Sequence, residues 1–443
     1  MATRTEVSPA SLKQRVQQTR RSARALARLS NDERNHILLT AADLIEVRSK
    51  EILAANQKDC EVFNGATGRE LASQVLLKRL KTNAAGVREM AMRVRDVAGL
   101  EDPLGETLAT TELDDGLTLY KVPCPLGVIA VIFESRPDVV PQVGSLAVKT
   151  GNGLVLKGGA EAKHTNRVLV DVWRQALSSY SADLAKAVCL LEERAEVIQI
   201  LEMEREIDLV VPRGSSEFVN FVFEHSRIPV LGHGSGICHI YVDRAADLKM
   251  AKDVVIDAKV QYPAACNSVE KVLVHEAIAE KFLPELANGL QAAGVEVRGC
   301  KRTEQVCAGL NIIAATEEDW STEYSDLKIT IKVVEDLQQA IDHIDKYGSR
   351  HTESIITQDR TTADQFLDEV DAASVFHNAS TRFADGFRYG LGAEIGISNS
   401  KLHARGPVGL EGLLTYKYKL KGSGQIVADY AEGRKKFRHL RLR

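Results

Sequence analysis

The seven cysteines of this 443-residue chain are odd in number and scattered, with no CxxC pair and no metal-ligand spacing among them. A reducing compartment follows, and the cytoplasm is the expected location. No apolar run approaches the roughly 18 residues of a membrane span, and the N-terminus lacks the apolar core of a secretory signal. A formal net charge of −4 gives no global attraction to phosphate backbones. Neither a membrane nor a nucleic acid is therefore expected as a partner, and any anion site has to be built locally. The eleven histidines offer no HxxxH pair in convincing context, so no metal site is expected. Internal repeats, low-complexity segments and the GxGxxG fingerprint are missing as well.

What is present fits a soluble globular protein, 44% hydrophobic and 27% charged, and long enough for two domains or more. The first thirty residues hold Arg4, Arg15, Arg20, Arg21, Arg24 and Arg28 against one acid, Glu6. Organelle transit peptides share that bias; the plainer reading is an amphipathic first helix carrying Ala23, Leu26 and Leu29. Ser30-Asn31-Asp32-Glu33 is a capping box that opens the next helix. Two long helical segments are expected, Asn31 to Ala55 and about Gly68 to Val97. A hairpin follows at Leu108 to Val122, turning at Asp114-Asp115-Gly116.

From Pro125 apolar strands alternate with helices: Gly127 to Phe133, Leu154 to Lys157, Ala187 to Leu191, Asp208 to Val211, Ile228 to Leu231 and Cys238 to Val242. Strands this apolar are buried on both faces, so a parallel, doubly wound α/β sheet is expected. The rhythm resumes after residue 266 with Lys271 to Val274, Thr330 to Val334 and Ser354 to Thr357, a second α/β domain. The basic stretch Gly433 to Arg443 reads as a solvated tail more readily than as an anion site.

Ligands of open parallel sheets sit beyond the carboxyl ends of the strands. Three such places carry candidate chemistry. Lys157-Gly158-Gly159-Ala160 offers bare backbone and a cation for a nucleotide, or is simply a turn. Pro212-Arg213-Gly214-Ser215-Ser216-Glu217 could seat a pyrophosphate on a helix N-terminus or only cap that helix. Phe133-Glu134-Ser135-Arg136-Pro137 is either a surface ion pair or an arginine clamp for carboxylate or phosphate. A fourth candidate precedes a strand: Gln261-Tyr262-Pro263-Ala264-Ala265-Cys266-Asn267-Ser268 sets one thiol on a turn of small residues before the apolar strand Val269 to Val274. The other cysteines read as core or incidental.

These residues, in this order, resemble the aldehyde dehydrogenase superfamily from about Val16 to Tyr418. The pieces that carry the resemblance are Pro125 to Pro137, Lys157-Gly-Gly159, Ile237-Cys-His-Ile-Tyr-Val-Asp243, Pro263-Ala-Ala-Cys-Asn267, Asn378-Ala-Ser-Thr-Arg-Phe383, Leu402-His-Ala-Arg-Gly-Pro407 and Gly409-Leu-Glu411. The resemblance implies reduction of L-glutamyl 5-phosphate by NADPH to L-glutamate 5-semialdehyde with release of phosphate, in proline synthesis. It implies an α/β fold of that superfamily: a doubly wound cofactor domain (1–105 and 125–245), an α/β catalytic domain (246–412), and a β-hairpin oligomerisation arm with a C-terminal segment (106–124 and 413–443). A homo-oligomer, dimer or tetramer, goes with the arm, and transient contact with a glutamate 5-kinase goes with the activity.

Residue by residue, Cys266 falls on the superfamily's nucleophile, Lys157 on its ribose-binding lysine, Gly214 and Ser215 on the pyrophosphate turn, and Glu323 on the glutamate that holds the nicotinamide ribose. Gly158 and Gly159 go with the cofactor. Glu134, Arg382, His403 and Arg405, with Asn267 beside the thiol, are the polar groups available for substrate. The departures also inform. Val230-Leu231-Gly232-His233-Gly234 lacks the glutamate with which oxidisers activate water, which suits a reductase. Arg136 falls where oxidisers place their oxyanion asparagine. Ala160 replaces an acid aimed at the ribose 2′-hydroxyl, which favours NADPH, and Val219 replaces a glycine of the pyrophosphate turn. An acylating or oxidising dehydrogenase for another small semialdehyde, a cofactor-free cysteine hydrolase or acyltransferase, and a non-catalytic scaffold are the competing readings.

Overall fold

The structure is a computed structural model that describes residues 11–67, 77 and 79–443. It divides into two compact units, the first running to Leu231 with Leu391–Gly396 and Val408–Arg443, the second made of Gly232–Gly390 and Ile397–Pro407.

The first unit is built on four parallel strands in the order Val188–Leu191, Gly153–Gly158, Val128–Phe133, Leu209–Arg213. All six residues of Val128–Phe133 and all six of Gly153–Gly158 are buried, as expected of strands covered on both faces. Strand order reverses between Val128–Phe133 and Leu209–Arg213, so the carboxyl ends of those two strands flank a switch point. The segment Ile228 to Leu231, expected as a strand, contributes one parallel bridge between Val230 and Val210.

The capping box at Ser30 forms: Ser30 Oγ accepts from Glu33 N and Glu33 Oε2 accepts from Ser30 N at 2.6 Å. The helix it opens, Asn31–Val47, ends with Arg48 as C-cap, and a second helix runs Ser49–Thr67 where one continuous helix to Ala55 was expected. The next expected helix begins outside the described residues, and its later part is the helix Ala84–Ala98.

A separate antiparallel sheet joins Leu414–Lys421, Leu117–Pro125, Ala109–Asp114 and Leu440–Arg441. Its hairpin turns at Gly116, whose φ of 67° suits the left-handed position of a tight turn. The segments grouped in sequence as an arm thus pair with one another. Part of the basic tail is ordered too, because Leu440–Arg441 adds a strand and Arg438 pairs with Asp114 and Asp115.

The second unit is built on seven parallel strands in the order Ile313–Ala314, Glu296–Gly299, Lys328–Val334, Val269–His275, Cys238–Val242, Thr352–Ile356, Ser374–His377. Cys238–Val242 pairs on both sides within this sheet, so the domain division expected at 245 falls instead at 231. One face is filled by Val272, Val274, Phe282, Leu283 and Leu286, the other by Tyr241, Leu273, Ile344 and Phe366. No helix among the described residues is long and apolar enough to cross a membrane.

Candidate active site

In the second unit the thiol turn lies at the amino-terminal edge of the sheet. The helix Leu248–Val260 delivers the chain to Gln261, and Cys266 stands three residues before Val269–His275. The turn closes on itself through Ala265 N to Tyr262 O and Ser268 N to Ala265 O, so its small residues hold the backbone while Cys266 stays partly exposed. The neighbouring strand edge presses on it from one side. A Cβ on Gly236 would overlap the carbonyl oxygen of Cys266, so glycine is required by close backbone approach.

Two imidazoles flank the sulfur. One ring nitrogen each of His233 and His351, with Cys266 Sγ, lie within 4.8 Å of one another. His233 precedes the strand Cys238–Val242 and is oriented by Nδ1 against Ile397 O at 2.8 Å. His351 immediately precedes Thr352–Ile356, is fully buried, and has Nδ1 2.8 Å from Thr352 Oγ1. Burial alone would push the Cys266 thiol up; the charges of His351 and His233, with their hydrogen bonds, outweigh it and hold the thiol well below its ordinary range. Burial likewise disfavours His233 as a cation, yet the negative sulfur and the Ile397 carbonyl raise it to about 9. The arrangement can keep a thiolate at neutral pH and so supply a nucleophile.

Three further groups attach to this edge. Glu323 Oε2 accepts from Gly236 N at 2.8 Å and its Oε1 meets Ser325 Oγ at 3.4 Å, which ties Glu323 to the wall of the thiol turn. Asn267 is buried with its Nδ2 spent on Ala384 O at 2.7 Å. Arg382, also buried, donates from Nε to Gln261 Oε1 at 2.8 Å and lies over the Tyr262 ring. Burial and the nearby Arg388 push its guanidinium below the ordinary value, while the Cys266 charge draws it back, so it is an anion-seeking group on the thiol side. Arg405 is engaged elsewhere, sharing the Asp371 carboxylate with Lys401, and His403 sits exposed in the same loop with φ at 68°.

In the first unit the carboxyl edge gathers the other candidates. Lys157 is buried at the end of Gly153–Gly158 with Nζ on Gly158 O at 2.6 Å, and burial lowers its ammonium pKa. Gly158, Gly159, Ala160, Lys163, Asn166, Leu190, Leu191 and Glu192 line a depression beside it. Gly214 follows Leu209–Arg213, and Ser215 caps the helix Ser216–His225. Glu134 Oε2 rests on Ser215 N at 3.3 Å and would meet a Cβ at Gly214, so that helix end already holds a carboxylate of the chain itself. Ser135, at φ 44°, is tied to Glu161 through its N and Oγ. Arg136 points outward, its side chain 47% exposed and 3.7 Å from Asp138.

Bare backbone at both turns and a cation at one strand end fit the ribose of a dinucleotide, and its phosphates fit the helix N-terminus once Glu134 leaves it. His233 and His351 were missed in the sequence. They lie at the amino ends of their strands, the opposite edge from the one that general rule directs attention to, and 118 positions separate them (351 − 233).

The model of the aldehyde dehydrogenase family matches residues 1–308. A protein of Cyanothece sp. named gamma-glutamyl phosphate reductase is 53% identical over 424 residues, 96% of each chain. One of the same name from Natronomonas pharaonis is 51% identical over 426 residues, again 96% of each. Among solved structures, the gamma-glutamyl phosphate reductase of Thermotoga maritima superposes with a TM-score of 0.90 at 41% identity, covering 94% of this chain and 100% of its own. An acetylating aldehyde dehydrogenase of Geobacillus thermoglucosidasius shares the fold at a TM-score of 0.65 and 16% identity, covering 94% of this chain and 97% of its own.

Proposed function

The chain belongs to the aldehyde dehydrogenase family, and from that membership we propose that it reduces L-glutamyl 5-phosphate to L-glutamate 5-semialdehyde with release of phosphate, a step of proline synthesis. The observation that carries the reading is the thiol of Cys266 flanked by His233 and His351, in a chain whose stretch Val230-Leu231-Gly232-His233-Gly234 lacks the glutamate used by water-activating relatives.

The Cys266 thiolate adds to the acyl carbon, the C–O bond to phosphate breaks with its electron pair, and a thioester remains. A bound nicotinamide cofactor supplies hydride to the thioester carbon. The alkoxide so formed closes to the aldehyde as the C–S bond breaks, and its pair returns to the sulfur. His233 and His351 stabilise that thiolate before attack and after release. Arg382 is the cation for an anionic group of the substrate on the thiol side, with Asn267 positioning the turn through Ala384. Arg136 stabilises the departing phosphate or the developing oxyanion, a contact worth roughly 3 kcal/mol when one such donor is removed. His403, Arg405 and Glu134 remain candidates for the amino and carboxylate ends of the substrate.

Lys157, Gly158, Gly159, Gly214 and Ser215 hold the dinucleotide, and Glu323 its nicotinamide ribose. NADPH is the cofactor we assign. Around the depression beside Lys157, Arg167 and Lys163 share Glu192, and Ala160 brings no acid, so Lys163 and Lys157 are the cations available to a 2′-phosphate. The arm sheet, with its exposed strand Leu414–Lys421, supports a homo-oligomer, and the soluble biosynthetic role suits the cytoplasm. The reverse reaction tests the function: semialdehyde, NADP and phosphate should yield NADPH with wild type and not with Cys266→Ala. Steady NADPH formation without phosphate would overturn it.

A further inference from the structure

Nucleophilic cysteines are usually paired with one base. Cys266 has an imidazole on each side, and the three side chains come from three different strand ends: His233 before Cys238–Val242, Cys266 before Val269–His275, His351 before Thr352–Ile356. Their ligand atoms lie within 4.8 Å of one another, whereas tetrahedral zinc with Zn–N near 2.0 Å and Zn–S near 2.3 Å needs separations of about 3.3–3.5 Å. A contraction of roughly one ångström, within reach of side-chain rotation, closes the set.

Both imidazoles already have the outer partner that metal-binding histidines use. His233 Nδ1 is fixed by the Ile397 carbonyl at 2.8 Å and His351 Nδ1 lies 2.8 Å from Thr352 Oγ1, which leaves each Nε2 to serve as ligand once any proton on it is lost. The Nε2 of His351 is the independent sign. It is buried in a fully buried residue and, apart from its approach to the Cys266 sulfur, has no hydrogen-bond partner, an arrangement that costs free energy unless something uses that atom. Cys266 and His233 are partly exposed residues, so the set lies within reach of solvent.

We propose that His233, Cys266 and His351 form a three-ligand site for a thiophilic divalent cation, zinc above all, which reversibly closes the enzyme by capping its nucleophile. The closure rests on the reading of Cys266 as nucleophile; the binding does not. The sulfur and two nitrogens donate their lone pairs to the ion, nothing is oxidised, and protons on those atoms pass to solvent. The donor set selects borderline and soft ions such as Zn2+, Co2+ and Cd2+, and leaves Mg2+ unbound.

The test uses the full-length, metal-free protein with Co2+ alone as a spectroscopic probe and Zn2+ alone in equilibrium dialysis. One Co2+ per chain is expected, with the intense near-ultraviolet thiolate-to-cobalt band and visible bands of a tetrahedral site. Cys266→Ser should lose the thiolate band. His233→Ala and His351→Ala should each weaken Zn2+ binding by roughly 100-fold or more, beyond the 10–100-fold loss seen when only an outer partner is removed. Thermal melts and circular dichroism establish that each variant is folded, and His351→Gln, which retains an amide in the buried space, should weaken binding as His351→Ala does. Zn2+ should inhibit turnover, a chelator should restore it, and Mg2+ should do nothing. Unchanged Zn2+ affinity in folded His233 and His351 variants, or a thiolate–Co2+ band that survives Cys266→Ser, overturns the site. A cobalt band at Cys266 in an enzyme whose turnover survives Cys266→Ala would overturn the nucleophile and keep the site.

Discussion

Cys266 is useful because of what surrounds it. Its sulfur is held below the ordinary thiol range by His351 and His233 against the opposing effect of burial. Removing either imidazole should lower kcat/KM by roughly 100-fold, the low end of what a positioned proton-handling group contributes. Steady-state kinetics of His233→Ala and His351→Ala check this; activity within a few fold of wild type would remove both from the mechanism. Gly236→Ala probes the same turn through backbone alone. The added methyl overlaps the Cys266 carbonyl, so the turn has to move, and turnover should fall more than stability does, as kinetics and a melt on one preparation would reveal. The candidate thiol stood out in sequence because small residues around a lone cysteine precede an apolar run. Its two partners did not, since each is an isolated histidine in front of a strand and only pairing of that strand brings it near the sulfur.

At the scale of elements, the candidate groups sit at the carboxyl edge of the sheet in the first unit and at the amino edge of the sheet in the second. Lys163, at the start of the helix Lys163–Tyr180, lines the depression beside Lys157 and shares Glu192 with Arg167. Lys163→Ala should cost NADPH about 1.5 kcal/mol, roughly tenfold in KM, and NADH little. Equal losses for both cofactors would contradict a 2′-phosphate contact at that helix. On the second sheet, His343 of the helix Leu337–Tyr347 is buried beside His239, Trp320, Tyr347 and the ammonium of Lys332, 3.0 Å from its Nδ1. Burial first, then the charges of His239 and the neighbouring lysines, keep it neutral far below its usual range. A depressed folded pKa contributes stability that is complete above pH 6.5 and is lost as pH falls. His343→Leu lacks that loss, so the stability gap between wild type and variant should narrow by about 1.4 kcal/mol per pH unit between pH 6 and 4, measured by denaturant titration. A gap independent of pH would mean His343 accepts its proton normally. Most strands were legible because Val, Ile and Leu runs need no partner to be recognised. Cys238–Val242 was legible as a strand and misassigned as to sheet, because pairing with Val269–His275 and Thr352–Ile356 is a non-local fact that no local pattern encodes.

For the whole molecule, the central claim is that Cys266 forms a thioester that phosphate, and not water, resolves. His233 occupies the stretch where a water-activating glutamate would stand, and an acyl group lost to water would be wasted. The most direct measurement withholds phosphate. Wild-type enzyme mixed with L-glutamate 5-semialdehyde and NADP should release a burst of one NADPH per active site and stop, with the acyl group found on the Cys266 peptide by mass spectrometry. Adding phosphate should restart turnover. Continuous NADPH formation without phosphate, or an acyl group on any residue other than Cys266, would contradict it.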